Sequence, residues 1–178
     1  MKNHEIAELL NEIADVLEIK GELVFKIRAY RKAALVIDGL SEDISEINKK
    51  GQLDDVPSVG EGLAIKIKEF LETGHSKYLE KLKKQTPVDV DELRNVEGLG
   101  PKTILKLYKQ LKVKNMKDLE KAAKQGKIQK IEGLGPGVEQ NILKGIKFAK
   151  TASKRQLLGY ALPTAEEIKE RLSKLKEV

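Results

Sequence analysis

The sequence contains no cysteine and no tryptophan, and aromatic residues make up only 4% of its 178 residues. Disulfide bonds, thiolate metal sites and cysteine nucleophiles are therefore excluded. The two histidines, His4 and His75, are too few for an imidazole-rich metal site. No apolar run approaches the roughly 20 residues that cross a bilayer, and the charged N-terminus does not resemble a signal peptide. These absences predict a cytoplasmic protein without a membrane partner.

The charge of the chain is positive but unevenly distributed. Lysine and arginine number 34 against 28 acidic residues, which gives a formal net charge of +6. Residues 86–150 hold 14 basic and 8 acidic side chains, whereas residues 1–55 hold 8 and 12. An excess of positive charge in the middle of a chain is typical of contact with a polyanion such as nucleic acid. A lysine-rich solvated surface gives the same composition, so the charge alone leaves both interpretations open.

Apolar residues recur at three- and four-residue spacing through much of the sequence, which indicates helices. The first stripe follows Asn3, which we predict to be a helix N-cap, and it ends at Leu17. A second stripe ends at Ile37. Phe25 lies in the same segment, and we expect its ring to be buried in the core rather than to stack on a base. We expect Ser41 to open a short third helix. No segment alternates apolar and polar residues as a strand requires, so the sequence predicts an all-α fold.

One short pattern occurs three times, at residues 56–60, 96–100 and 131–135. It consists of an aliphatic residue, a spacer, a small residue, a second aliphatic residue and a glycine, and an amphipathic segment with lysines follows each copy. Glycines allow a tight turn with positive φ, and a helix that starts after the turn presents free amides to a phosphate oxygen. The repeat therefore predicts phosphate contacts from Gly60, Gly62, Lys68, Gly98, Gly100, Lys102, Lys106, Gly133, Gly135, Gly137 and Lys144.

The glycine pattern resembles the helix-hairpin-helix motif, which binds the DNA backbone without reading sequence. Residues 29–34, together with the first copy and residues 66–74, resemble the N-terminal lyase domain of family X DNA polymerases. The second and third copies resemble the double-hairpin DNA-binding subdomain that follows it, in the bacterial and archaeal form. Residues 157–163 resemble the entrance to the polymerase palm, but neither the Gly-Ser signature nor the Asp-x-Asp pair of the palm follows them. We therefore expect no polymerase activity from this chain, and Mg²⁺ only together with a palm.

The resemblance also implies roles for individual residues. In the family, the lyase domain removes a 5′-deoxyribose phosphate through a Schiff base, and the nucleophilic lysine matches Lys66. Lys26 and Tyr30 match the pocket for the 5′-phosphate, whereas Gly62 and Tyr78 stand where the family often has further lysines. Lys66 can equally contact a phosphate without chemistry, because the second repeat has a lysine at the same place. Tyr30 can equally belong to the apolar stripe of its helix.

A monovalent cation is the one cofactor that the resemblance implies for this part of the family. Na⁺ or K⁺ is often held on the hairpin carbonyls, which match Val56, Val59, Val96 and Leu99 here. No other cofactor is expected.

We predict two small helical modules of a SAM-like type. Residues 1–84 form a lyase-like module with the first hairpin, residues 85–87 a linker, residues 88–150 a double hairpin and residues 151–178 the palm-like tail. The predicted function is sequence-independent binding to gapped, nicked or abasic duplex DNA in base excision repair, by a monomer associated with the nucleoid. Two alternatives stay open: an active 5′-deoxyribose-phosphate lyase and a helical protein-interaction module.

Overall fold

The structure is a computed structural model that describes residues 2–152. Within this range it contains nine α-helices, 3-10 turns at Leu53–Asp55 and Ile128–Lys130, and no strand, which confirms the predicted all-α class. Among these residues no helix combines the length and hydropathy that a bilayer crossing requires. The predicted palm-like tail lies outside the described residues from position 153 onward. The helices are α1 Asn3–Lys20, α2 Val24–Asp38, α3 Ile44–Lys49, α4 Glu61–Thr73, α5 Lys77–Gln85, α6 Val90–Arg94, α7 Pro101–Leu111, α8 Met116–Lys124 and α9 Pro136–Ala152.

Helix α1 is the centre of the molecule, and it packs against α2, α5 and α7. Its stripe of Ile6, Leu10, Ile13 and Leu17 is fully buried, as the spacing of these residues predicts. Gly21 ends the helix in the left-handed conformation with φ 79°. Because α1 contacts helices from both halves of the chain, one continuous apolar core extends from the first hairpin to the other two.

The N-cap predicted at Asn3 is wrong, because its side chain is buried and bridges the loop between α2 and α3. Its Nδ2 donates to the carbonyls of Leu40 and Glu42, and its Oδ1 accepts from the Ile44 amide at 2.7 Å. Helix α3 is capped by Asp43 rather than opened by Ser41. The Asp43 carboxylate accepts hydrogen bonds from the hydroxyl and amide of Ser45 and from the amide of Lys2. These hydrogen bonds lower the pKa of Asp43 to about 2.

Candidate functional site

The three copies of the repeat fold into the same turn. In each copy the N–H of the fourth residue donates to the carbonyl of the first, at 2.9 Å in the first and third turns and 3.0 Å in the second. The third residue has a positive φ, which is 67° at Ser58, 81° at Gly98 and 79° at Gly133. This region favours glycine, so Ser58 adopts a conformation that L-residues rarely do. The left-handed residue of the turn is therefore the third one of the pattern, not the closing glycine.

The closing glycine starts the next helix from an extended backbone. Gly60 and Gly100 are the N-caps of α4 and α7, and neither helix has a side-chain capping hydrogen bond. A methyl group added to either glycine, or to Gly135, would meet no atom within 4 Å. The closing glycines therefore face open space rather than packed protein.

The aliphatic residues of each turn fix it to the core. Val59, Leu99 and Leu134, which lie just before the closing glycines, are all buried. The carbonyls of Val56 and Val96 each accept one turn hydrogen bond, which leaves a second lone pair on each oxygen. Neutral carbonyl oxygens suit an alkali cation, and Na⁺ or K⁺ at these carbonyls remains a prediction. In the described part of the chain, no three His, Cys, Asp or Glu side chains gather into a metal-binding group.

Lys66 and Tyr30 are brought together by Tyr78, which the sequence marks only as a departure from the family pattern. The Lys66 ammonium donates to the Gly62 carbonyl and lies 4.8 Å from the centroid of the Tyr78 ring. Tyr78 lies on α5, and its ring also stacks with that of Tyr30 on α2. The two rings are nearly parallel, with centroids 6.3 Å apart. Three helices therefore meet at one aromatic ring beside the predicted nucleophile.

The residues of α2 that the sequence analysis singled out, Phe25, Lys26 and Tyr30, differ in their exposure and contacts. Tyr30 is only 6% exposed, as its position in the apolar stripe indicates. Burial, with Tyr78 beside it, raises the pKa of the Tyr30 phenol, so the hydroxyl is a neutral hydrogen-bond donor. Lys26 lies one turn earlier and pairs with Glu22 at 3.6 Å. The core position predicted for Phe25 is wrong, because the buried stripe of α2 begins two residues later and Phe25 is 71% exposed.

The remaining predicted lysines lie on the helices that follow the turns. Lys68 on α4, Lys102 in the first turn of α7 and Lys144 on α9 are all exposed. Lys106 extends from α7 to the third turn, where its ammonium donates to the Glu132 carbonyl at 3.3 Å. This contact places a cation from the second hairpin beside the third hairpin.

A reciprocal contact joins α9 to the second turn. A Cβ atom at Gly145 would lie 2.7 Å from the Glu97 carbonyl oxygen and 2.9 Å from a methyl carbon of Val96. The helix therefore touches the turn directly at this glycine. Sequence reasoning missed Gly145, although a glycine inside an amphipathic helix is a signal of close backbone approach.

Comparison with known proteins agrees with this geometry. Residues 1–76 match the helix-hairpin-helix domain family, and residues 90–147 match the SAM-like helix-hairpin-helix tandem family. All 178 residues align at 36% identity with the DNA polymerase/3′-5′ exonuclease PolX of Bacillus subtilis (strain 168), and the chain covers 31% of that protein. The chain thus spans less than a third of the length of this relative. The chain is therefore similar over its whole length to part of a family X DNA polymerase, and it carries a helix-hairpin-helix region.

Proposed function

We propose that the three turns bind phosphates of the DNA backbone, independently of sequence, at a gap or nick during repair synthesis. The observation that carries this proposal is that all three turns share one backbone geometry and that the closing glycine of each faces open space. The helix-hairpin-helix families and the polymerase relative support DNA as the ligand.

The chemistry of the turns favours phosphate over base recognition. Amide N–H groups at the start of α4, α7 and α9 donate hydrogen bonds, and the positive end of each helix dipole attracts an anion. Exposed Lys102 and Lys144 both add charge near the second turn. Contacts of this kind fix the position of a strand without reading its sequence, and each neutralised phosphate releases counterions. Affinity is therefore expected to fall steeply with salt.

The first prediction concerns Lys102. Replacing Lys102 by Glu removes one phosphate contact, so the slope of log affinity against log salt should become shallower by about 1. The measurement is fluorescence anisotropy with intact, nicked and gapped duplexes, with and without a 5′-phosphate, over a salt series.

Lys109→Glu is the matched control. Lys109 lies on the same helix face, about 10 Å further along the axis of α7, so both variants change the net charge equally. We expect a smaller effect from Lys109→Glu. Equal effects of the two substitutions would show that only the overall charge matters. Absence of DNA binding even at low salt would favour a protein-interaction module instead.

A second candidate function is removal of the 5′-deoxyribose phosphate, and the position of Lys66 beside the paired rings of Tyr78 and Tyr30 supports it. The side chain is half-buried, and its terminal nitrogen contacts the Gly62 carbonyl and the Tyr78 ring, which stacks on Tyr30. In this chemistry the neutral amine attacks C1′ of the abasic sugar and water leaves, which forms an imine.

The second prediction tests that step with borohydride, which reduces the imine to a stable cross-link. The chain should be trapped on DNA that carries a 5′-deoxyribose phosphate, and Lys66→Ala should lose the product. Lys68→Ala, two residues along the same helix, should keep it. Trapping that survives in Lys66→Ala would assign the imine to another lysine, and no trapping of the unaltered chain would leave phosphate contact as the role of Lys66.

A further inference from the structure

A cavity of about 500 Å³ lies between the second turn and α9. Its volume falls in the range of pockets that hold small organic groups. The second turn forms one wall of the cavity, so a group held by this turn lies next to the cavity. The lining residues are Glu97, Gly98, Asn141, Lys144, Gly145 and Phe148.

The repeat shows why the cavity occurs at the second turn. Asn141 follows the third pattern at the same distance as Lys106 follows the second. Lys106 extends to the third turn and places its ammonium on the Glu132 carbonyl. At the corresponding place beside the second turn, the shorter and neutral Asn141 lines an open space. The two hairpins therefore present different chemistry despite their common backbone.

The lining suits a nucleobase better than a second phosphate. Phe148 is 65% exposed, so its ring is accessible to a flat ligand. The amide of Asn141 can both donate and accept hydrogen bonds, as the edge of a base requires. Lys144 brings one positive charge and Glu97 one negative charge, so the lining as a whole is neutral and does not attract an additional anion.

We propose that this cavity binds an unpaired base of the DNA strand whose phosphate the second turn holds. Phe148 stacks on the face of the base, Asn141 hydrogen-bonds to its edge, and Lys144 contacts the adjoining phosphate. The inference rests on the proposed binding of phosphates by the turns, and it adds a preference for DNA with an unpaired nucleotide. The preference is sequence-tolerant because every base has a face on which an aromatic ring can stack.

The third prediction uses 2-aminopurine, a fluorescent base that is quenched when it stacks. The full chain should quench 2-aminopurine placed as the unpaired template base of a one-nucleotide gap, and not the same base paired in an intact duplex. Phe148→Ala should abolish the quenching and weaken binding to the gapped duplex by between about 5-fold and about 150-fold, the range that one stacked base contributes. Its affinity for the intact duplex should change by less than about twofold.

Phe25→Ala is the matched control, because Phe25 is similarly exposed and does not line the cavity. Both variants remove an exposed ring, so both should keep the thermal unfolding midpoint of the unaltered chain. If Phe25→Ala lost the quenching and Phe148→Ala kept it, the base would stack on Phe25 of α2, and the proposal would be overturned. If the unaltered chain bound DNA tightly without quenching, the proposed base site would be overturned, whereas the proposed phosphate contacts would be retained. Absence of any DNA binding would refute both proposals.

Discussion

Gly145 lies where α9 crosses the second turn, and its contact with Glu97 leaves no space for a methyl group. The atoms that a Cβ would meet include the backbone nitrogen and oxygen of Glu97, which a side-chain rotation cannot move away. The second turn and the helix of the third hairpin are therefore held at a spacing that only glycine permits. The same contact forms one wall of the cavity beside Phe148.

The fourth prediction is that Gly145→Ala destabilises the protein although alanine is the better helix former. The backbone must shift to admit the methyl group, and overpacking of this kind costs about 1 to 3 kcal/mol of the free energy of unfolding. Gly137→Ala, in the first turn of the same helix, meets no atom within 4 Å and should be neutral or slightly stabilising. Urea denaturation followed by circular dichroism measures both. Equal stabilities of the two variants would contradict a direct contact between α9 and the turn.

At the scale of single elements, the sequence predicts the turns and helix ends that depend on residues close together in the chain. The three turns recur because each is closed by one hydrogen bond within five residues, so the pattern of small and aliphatic residues is sufficient to locate them. The end of α1 at Gly21 follows from a similar local rule. Helix starts were predicted less well, since asparagine serves equally as an N-cap and as a buried bridge, and only the tertiary fold shows that Asn3 is the bridge.

Contacts between elements could not be predicted in this way. The Tyr78 ring touches Lys66 and stacks on Tyr30 because α2, α4 and α5 converge, and no spacing within any one of them encodes that meeting. Phe25 was misplaced because its apolar character gives no information about which side of α2 faces the core. The three turns are therefore evident in the sequence, whereas the cavity beside the second turn required the structure.

Across the whole molecule, a group of ion pairs joins the region of the first hairpin to that of the other two. Glu12 of α1 accepts from Lys83 of α5 at 2.8 Å and from Arg94 of α6 at 3.1 Å. Arg94 also pairs with Asp15 at 3.1 Å, and Lys83 with Asp91 at 2.6 Å. Only 27% of the Glu12 side chain is exposed, so these charges are partly shielded from water. The group lies on both sides of residues 85–87 and restrains the two regions relative to each other.

The fifth prediction is that Glu12→Gln destabilises the protein by about 1 kcal/mol, between the values for surface and buried ion pairs, because Lys83 and Arg94 lose a shared carboxylate. Glu8→Gln is the control, since the Glu8 side chain is 70% exposed and its carboxylate lies 3.5 Å from the His4 ring on the same helix. Urea midpoints measured at 0.1 M and 1 M salt separate charge from packing, because the screening length falls from about 10 Å to about 3 Å. The difference between Glu12→Gln and the unaltered chain should shrink at high salt. A difference that is independent of salt would mean that Glu12 acts through its packing against α5 and α6, and the three turns would then be aligned by the apolar core alone.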